Sequence, residues 1–353
     1  MSASSSPTAP LKYVVGIDIA KDTFVACFGR IEVNQHLRFG KQATFDNTLA
    51  GFAALLAWTA KQRVTAAPLW FVVEATGVYY EALAYFLSDN EQALSVLLPN
   101  KVKHFARSTA QKSKTDQLDA RLLCRLGLER ALPAWQPPTP ALRRLRALAR
   151  ERQSLKRQGA RLKAQRHAYD HSYAPDAGTL ARLNAHQHLL AQQVEAVDQD
   201  LADLLEAEPE LARKLAQLTS IPGIGRTTAI VVVAETNGFS LIENERQLAS
   251  YAGLDVVQRQ SGLSAQATRI SRRGNVHLRQ ALYLPAVSSL RYNPQQMAFY
   301  ARLRARQPNG KPGVIAVMRK LLLLCYALWK NDRPYDPHYH PAHRAEKEVA
   351  PAT

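Results

Sequence analysis

Apolar residues come in short, strand-length runs through the first third of the chain and then recur at helical spacing through most of the remainder. YVVGIDIA, TFVACFG and HLRFG are rich in β-branched and aromatic residues and are joined by short turns, which predicts three consecutive strands. NTLAGFAALLAWTAK has the apolar spacing of an amphipathic helix. LWFVVEA then predicts a fourth strand, TGVYYEALAYFLSDN a helix, ALSVLLP a fifth strand and TDQLDARLLCRLGLE another helix. Three hairpin-like strands followed by alternating helix and strand make a mixed sheet with helices packed on it.

A second pattern begins after LPAWQPPTPALRRL, whose four prolines mark a boundary. From about Ala141 to Arg166 the chain carries Arg143, Arg144, Arg146, Arg150, Arg152, Lys156, Arg157, Arg161, Lys163 and Arg166 against a lone Glu151. Leu142, Leu145, Leu148, Leu155 and Leu162 add a partial apolar stripe, so this reads as a long basic helix. Beyond HSYAPDAG, Leu190, Val194, Val197, Leu201 and Leu204 alternate four and three apart, the spacing of a coiled-coil seam. That helix has an acidic face of Glu195, Asp198, Asp200, Asp203 and Glu206. Two helices of opposite sign suggest an antiparallel hairpin within one subunit or across a dimer. The plainer alternative is that the arginines serve only to pair with the acidic helix, although their charge exceeds what it can neutralise. The expected class is α/β plus α. The expected organisation is a disordered N-terminus at 1–12, a sheet domain at 13–135, a coiled-coil linker at 136–212, a mainly helical domain at 213–332 and a tail at 333–353.

Composition narrows the function. With 46% hydrophobic residues in 353, the chain has ample material for two cores. Its 46 Lys and Arg against 29 Asp and Glu give a formal charge of +17, and the pI is near 9.9. Such an excess calls for a polyanionic partner, nucleic acid or anionic membrane. The most apolar stretch, GVIAVMRKLLLLCYALW, is interrupted by Arg319 and Lys320 and reads as a buried helix, too short for a bilayer span. No membrane partner and a cytoplasmic location are therefore expected, since MSASSSPTAPLK has no targeting pattern. Cys27, Cys124 and Cys325 form neither a disulfide framework nor a zinc pattern.

The chemistry concentrates in four carboxylates: Asp18 in VVGIDIAKD, Glu74 in FVVEATG, and Asp116 with Asp119 in KTDQLDARLL. Asp is a poor strand residue, so Asp18 inside an apolar strand needs a reason. Asp116 and Asp119 share a helix face through their spacing of three. The strand and helix order is that of a ribonuclease-H-like core, in which Asp18 and Glu74 lie near the carboxyl ends of central strands. Four converging carboxylates repel unless cations hold them, and Mg2+ suits carboxylate oxygens and a phosphate substrate. Each acid also has a plain reading: Asp18 as a strand-end residue in a turn with Lys21 and Asp22, and Asp116 as an N-cap.

Further along, the I-P-G-I-G of Ile221 to Gly225 resembles the hairpin of a helix-hairpin-helix motif, in which backbone N–H groups at Gly223 and Gly225 reach a phosphate. An ordinary tight turn has the same residues. Ser261-Gly262 stands in a polar loop followed by Arg269, Arg272, Arg273 and Arg279, so a hydroxyl lies near cations that stabilise phosphate charge. Tyr79, Tyr80 and Tyr251 are candidates for stacking on bases or for buried positions with a satisfied hydroxyl. His338, His340 and His343 in DPHYHPAH have a spacing that binds metal only in principle.

GIDIAK, VVEATGVY, KTDQLDARLL, SIPGIG, YAGLD with QSG, and ISRRGNVHLRQALY occur in this order, from about Tyr13 to Trp329. Together they resemble the DEDD-type transposases of the insertion sequence 110 family. The resemblance implies a RuvC-like, ribonuclease-H-fold domain, a coiled-coil linker and a C-terminal transposase domain holding a serine nucleophile. It carries the four acids over to Asp18, Glu74, Asp116 and Asp119, as metal ligands, and the nucleophile to Ser261. The family often has a proline after the YAGL step, where this chain has Asp255-Val256-Val257, and Ser264 and Ser271 are the fallback positions.

The family likeness further implies a structured bridge RNA that guides recombination of donor and target DNA by a homo-oligomer, dimer or tetramer. The basic helix, with Arg143, Arg144, Arg150 and Arg157, and the Arg269 to Arg279 cluster would contact nucleic-acid backbone. Because the serine and the acids lie in different domains, a composite site is required. Two other readings fit the same charge: a metal-dependent nuclease of the Holliday-junction-resolvase type that uses water, and a non-enzymatic nucleic-acid-binding protein with a structural acidic cluster.

Overall fold

The computed structural model describes residues 9–109, 115–240, 242–257, 260–261, 264–265, 269–306 and 309–338. The chain divides into two compact units, Met1–Pro137 and Pro138–Thr353, and the division falls inside the proline-rich segment.

The first unit opens with β1 (Pro10–Ile19), β2 (Thr23–Glu32) and β3 (Leu37–Asp46), followed by α1 (Leu49–Gln62), β4 (Leu69–Glu74), α2 (Glu81–Asp89), β5 (Leu94–Leu97), α3 (Pro99–Ser108) and α4 (Asp116–Glu129). The five strands form one mixed sheet in the order β3-β2-β1-β4-β5. β1, β2 and β3 pair antiparallel, whereas β4 pairs parallel with both β1 and β5. β1 starts at Pro10, ahead of the run that predicts it. α2 starts only at Glu81, because the segment before it turns through Gly77 at φ +62°.

β1 is buried on both faces, which explains its almost unbroken apolar run. Its odd positions Tyr13, Val15 and Ile17 pack with Phe52 and Leu55 of α1 and Leu83 and Leu87 of α2. Val14, of opposite parity, packs with Val72, with Val102 and Phe105 of α3, and with Ala120, Leu123 and Cys124 of α4. α3 has no counterpart in the sequence pattern: PNKVKHFARS is mostly polar and buries only Val102 and Phe105.

α4 runs antiparallel to β1 at backbone contact. Lys12 Nζ donates to the Gly127 carbonyl at 2.6 Å, near the end of the helix. A Cβ on Gly127 would stand 2.7 Å from Val14 and 2.8 Å from Val72. At Gly16 a Cβ would stand 2.1 Å from the Cys124 nitrogen and 2.3 Å from the Ala120 oxygen. Glycine at 16 and 127 is what lets helix and sheet approach this closely.

The second unit begins with α5 (Pro140–Asp170) and α6 (Ala177–Ala207). Arg144 meets Asp200 and Arg152 meets Asp198, so the two helices run antiparallel. Leu145, Leu148, Leu155 and Leu162 join Leu190, Val194, Val197, Leu201 and Leu204 in a single buried cluster. There follow α7 (Pro209–Thr219), α8 (Arg226–Glu235), α9 (Glu245–Ala252), α10 (Val276–Tyr292), α11 (Pro294–Arg306) and α12 (Gly310–Asn331). Between α9 and α10 lie β6 (Val256–Val257), β7 (Gln260–Ser261), β8 (Ser264–Ala265) and β9 (Arg269–Ile270), paired β6 with β9 and β7 with β8. One expectation is corrected here. At 22 residues α12 is long and apolar enough to cross a membrane by length and composition, so it is not too short for a span. Its residues Val317, Met318, Leu321, Leu322, Cys325 and Leu328 are nevertheless buried in the core of this unit.

A buried carboxylate fastens α5, α8, α9 and α10 together. Glu235, whose side chain is 1% exposed, ends the apolar helix α8. It accepts from Arg150 Nε at 2.7 Å and Nη2 at 2.9 Å, and from Asn275 Nδ2 at 2.6 Å. Tyr251 donates its hydroxyl to the Glu235 carbonyl at 2.7 Å. Burial by itself would push the Glu235 carboxyl up, but the hydrogen bonds from Arg150 and Asn275 outweigh it and hold the group below its ordinary value.

Two stability predictions arise. Gly16→Val should cost more than about 3 kcal/mol, because the new side chain meets helix backbone rather than a movable side chain. Gly40→Ala, whose Cβ would meet only Phe28 at ordinary contact distance, should change stability by less than about 0.5 kcal/mol. Thermal unfolding of both variants checks the contrast. Glu235→Gln should cost about 3 kcal/mol at neutral pH by leaving the Arg150 charge without its carboxylate. A carboxyl held below its ordinary value contributes stability that is present above that value and lost as the pH falls through the folded one. The gap between wild type and Glu235→Gln should therefore close as the pH drops below about 4, whereas a constant gap in a pH series of unfolding midpoints would contradict this.

Candidate active site

The parallel register pairs Ile17 with Val73, so the next residues in step are Asp18 and Glu74. They stand on neighbouring strands at the carboxyl ends, one residue from the end of β1 and at the end of β4. Side chains alternate across a strand. Asp18 shares a face with Val14 and Gly16, and Glu74 with Val72, and this is the face that α4 covers. Stepping along the antiparallel contact, from Lys12 at Gly127 to Gly16 at Ala120 and Cys124, leads toward the first turn of α4, where the Gln117 carbonyl accepts from Gln42 of β3 at 3.0 Å. That turn carries Asp116 and Asp119.

Local chemistry explains where α4 begins. Thr115 is the N-cap, its hydroxyl accepting from the Leu118 N–H at 3.3 Å. Asp116 is consequently the first helical residue and not the cap, and both aspartates sit in the turn where the helix dipole favours negative charge. Thr76 donates its hydroxyl to Glu74 Oε1 at 3.2 Å. Asp18, Glu74 and Asp119 are half-buried, whereas Asp116 is exposed. Asn47, which sequence reasoning missed, donates to the carbonyls of Ala20, Lys21 and Tyr79 at 3.1 to 3.3 Å. It ties the turn after β1 to the segment after β4, and in the sequence it is hidden as an ordinary residue ahead of a helix cap.

Among the described residues, no three His, Cys, Asp or Glu side chains stand close enough together to hold a metal ion. Asp18 and Glu74 stand at the carboxyl ends of β1 and β4, and Asp116 and Asp119 in the first turn of the helix that covers the same face. As a donor set of carboxylate oxygens from two strand ends and one helix turn, they fit a hard divalent cation.

In the second unit, Ser261 pairs with Ser264 across the β7–β8 ladder, and Arg269 pairs with Val257. The side chains of Ser261, Ser264 and Arg269 lie outside the described residues, as do His340 and His343. Ser271 donates its hydroxyl to the carboxylate of Asp255, and its N–H to the Asp255 carbonyl at 2.9 Å. Asp255 and Ser271 thus close the base of the loop between α9 and α10. Gly274 lies against the end of α9, where a Cβ would be 2.4 Å from the Tyr251 oxygen. Tyr251 is committed to Glu235, and Tyr80 packs on the core of the first unit, while Tyr79 remains exposed.

The arginines divide by what they touch. Arg150 is bound to Glu235, and Arg279 donates to the Ala252 carbonyl at 2.9 Å, with burial lowering its pKa. Arg144 stands 3.7 Å from Asp200. Arg143, Arg157, Arg272 and Arg273 are exposed, Arg272 at φ +52°. Gly223, at φ +102°, packs on α10, where a Cβ would be 2.9 Å from Ser289, whereas Gly225 caps α8 facing open space.

A family model described as Transposase IS116/IS110/IS902 family matches residues 215–301, and one described as Transposase, for DEDD elements of the IS110 kind, matches residues 15–175. The chain is 33% identical over 335 residues to the pilin gene-inverting protein of Moraxella bovis, covering 93% of this chain and 99% of that one. It is 31% identical over 146 residues to the insertion element IS110 uncharacterized 43.6 kDa protein of Streptomyces coelicolor, covering 41% of this chain and 35% of that one. It is 24% identical over 253 residues to the transposase for insertion sequence element IS1328 of Yersinia enterocolitica, covering 65% of this chain and 72% of that one. With both matched regions and a near full-length relative, the chain belongs to the IS116/IS110/IS902 family of transposases.

Proposed function

We propose that this transposase is an RNA-guided DNA recombinase that cuts and rejoins donor and target strands through a phosphoserine link. The observation that carries the reading is the shared face of Asp18 and Glu74 at two parallel strand ends, covered by a helix that opens with Asp116 and Asp119. The strand order β3-β2-β1-β4-β5, with three antiparallel strands leading into two parallel ones, supports a RuvC-like, ribonuclease-H-type fold for the first unit. A near full-length relative is named for inverting a gene, which supports strand exchange over simple hydrolysis.

In this reading Asp18, Glu74, Asp116 and Asp119 would hold a divalent cation, Mg2+, which when bound would neutralise charge on the scissile phosphate and on the leaving oxygen. Ser261 is the nucleophile. Its Oγ forms a bond to phosphorus while the bond from phosphorus to the leaving strand oxygen breaks. The hydroxyl proton passes to a base, and the leaving oxygen gains a proton. One phosphoester bond replaces another, so attack by a strand hydroxyl on the phosphoserine can restore a DNA backbone without an external energy source.

Exposed cations, among them Arg143, Arg157, Arg272 and Arg273, contact nucleic-acid backbone. Such contacts position a strand without reading its bases, which suits a protein whose targeting is delegated to a bridge RNA paired with donor and target. That delegation is what the family likeness implies, and the +17 charge calls only for a polyanionic partner. The recombinase works as a homo-oligomer in the compartment that holds the DNA.

The test combines Mg2+, labelled donor and target DNA and RNA transcribed from the flanks of the element. Wild type should yield a protease-sensitive DNA adduct. Ser261→Ala should abolish the adduct while keeping DNA binding, and Asp119→Asn should slow its formation by roughly a thousandfold or more. Cleavage without adduct in both wild type and Ser261→Ala would instead assign water as nucleophile and a resolvase-type reaction. Binding without any cleavage, unchanged in Asp18→Ala, would leave a non-enzymatic nucleic-acid-binding protein.

A further inference from the structure

The second unit encloses a cavity of about 350 Å³ between α5, α6, α8 and α10. Its volume is at the lower end of small-molecule sites, roughly 300–1,000 Å³. Ile230, Leu284 and Pro285 contribute an apolar wall, and Arg152, Lys156 and Arg226 contribute charge. Arg152 is taken up by Asp198, at 2.5 and 3.1 Å. The Arg152 hydrogen bond depresses the Asp198 pKa, with longer-range contributions from Lys156 and Arg226, so all three cations act on the same small space. Among the described residues one carboxylate, Asp198, lines the cavity against three cations, which leaves two positive charges in excess.

The adjoining backbone has the same sign. Thr227 and Thr228 line the cavity from the first turn of α8. The helix is capped by Gly225, which has no side chain to accept from the free N–H groups. Thr228 is also tied to α10, its hydroxyl donating to the Ala281 carbonyl at 3.5 Å, so the first turn is held against the opposite wall. Leu284 at the rim is 72% exposed. An apolar wall combined with surplus positive charge matches a ligand that is planar and weakly polar in one part and anionic in another.

We infer that this cavity takes a single unstacked nucleotide of a nucleic-acid strand. The phosphate lies on Lys156, Arg226 and the first turn of α8, and the base lies against Ile230, Leu284 and Pro285. The inference rests on the proposed role in nucleic-acid recombination and adds to it a site that grips one nucleotide away from the carboxylates. A duplex, with its bases stacked and paired, has no such unit to offer, whereas a displaced DNA strand or an unpaired RNA segment does.

The test uses the full-length protein with short single-stranded DNA or RNA carrying one photoreactive thiopyrimidine, with crosslinked peptides identified by mass spectrometry and total binding followed by filter retention. Crosslinks should map to the segments holding Ile230 and Leu284. Lys156→Glu with Arg226→Glu should lower that crosslink about tenfold or more, the loss expected when a charge-assisted phosphate contact is reversed. Leu284→Glu, at an exposed rim position that leaves the core untouched, should lower it as well. Whichever oligonucleotide crosslinks identifies the source of the nucleotide as DNA or RNA. Crosslinks that map elsewhere, or that persist in all these variants while total binding is normal, would overturn the inference and leave the recombinase reading standing. Failure of wild type to bind either strand would overturn both.

Discussion

The backbone contact between α4 and β1 at Gly16 is the constraint on which the candidate active site depends. A Cβ at that position would overlap the helix backbone, and a second glycine at 127 allows a close approach about one to two turns further along the helix. Between these points the helix axis has little freedom to slide or tilt. Its first turn is thereby held at the end of the sheet where Asp18 and Glu74 stand. Thr115 then fixes where the helix starts, and Asn47 holds the turns that rim the same end. Asp18, Glu74 and Asp119 are half-buried there, and Asp116 is exposed.

The second unit is organised around a different group. Glu235 is a buried carboxylate whose partners come from α5 and from the start of α10, and its own carbonyl holds Tyr251 of α9. The loop that bears Ser261 leaves α9 and returns to α10, so both of its ends are anchored to this network. Asp255 and Ser271 add a second closure just inside it. An Arg in the basic helix is therefore not automatically a nucleic-acid contact: Arg150 is part of the scaffold, whereas Arg143 and Arg157 face solvent.

Much of this was legible in the sequence because the relevant signals are local. Asp18 and Glu74 stand out as acids at the ends of apolar runs, and the sheet strands follow from β-branched alternation. The four-and-three spacing of Leu190 to Leu204 announces a buried helix seam. What was illegible depends on distant partners or on weak patterns. α3 is too polar to register as a helix and is held by just two buried side chains. Glu235 resembles an ordinary helix-end acid until Arg150, 85 residues away, and Asn275, 40 residues away, are seen around it. Glycine at 16 signals a close approach, but nothing nearby says to what. The length of α12 is hidden in the sequence because Arg319 and Lys320 interrupt its apolar run, although both belong to one continuous 22-residue helix.

The central claim is that the acids gathered by the α4–β1 contact act together on a divalent cation. Titration of the full chain with Mn2+, a paramagnetic stand-in for Mg2+, followed by electron paramagnetic resonance, tests it without any assumption about nucleic acid or serine chemistry. Saturable binding in wild type and in Ser261→Ala, lost in a variant combining Asp18→Asn with Glu74→Gln, is the predicted result. Equal Mn2+ binding by wild type and the double variant would contradict the account.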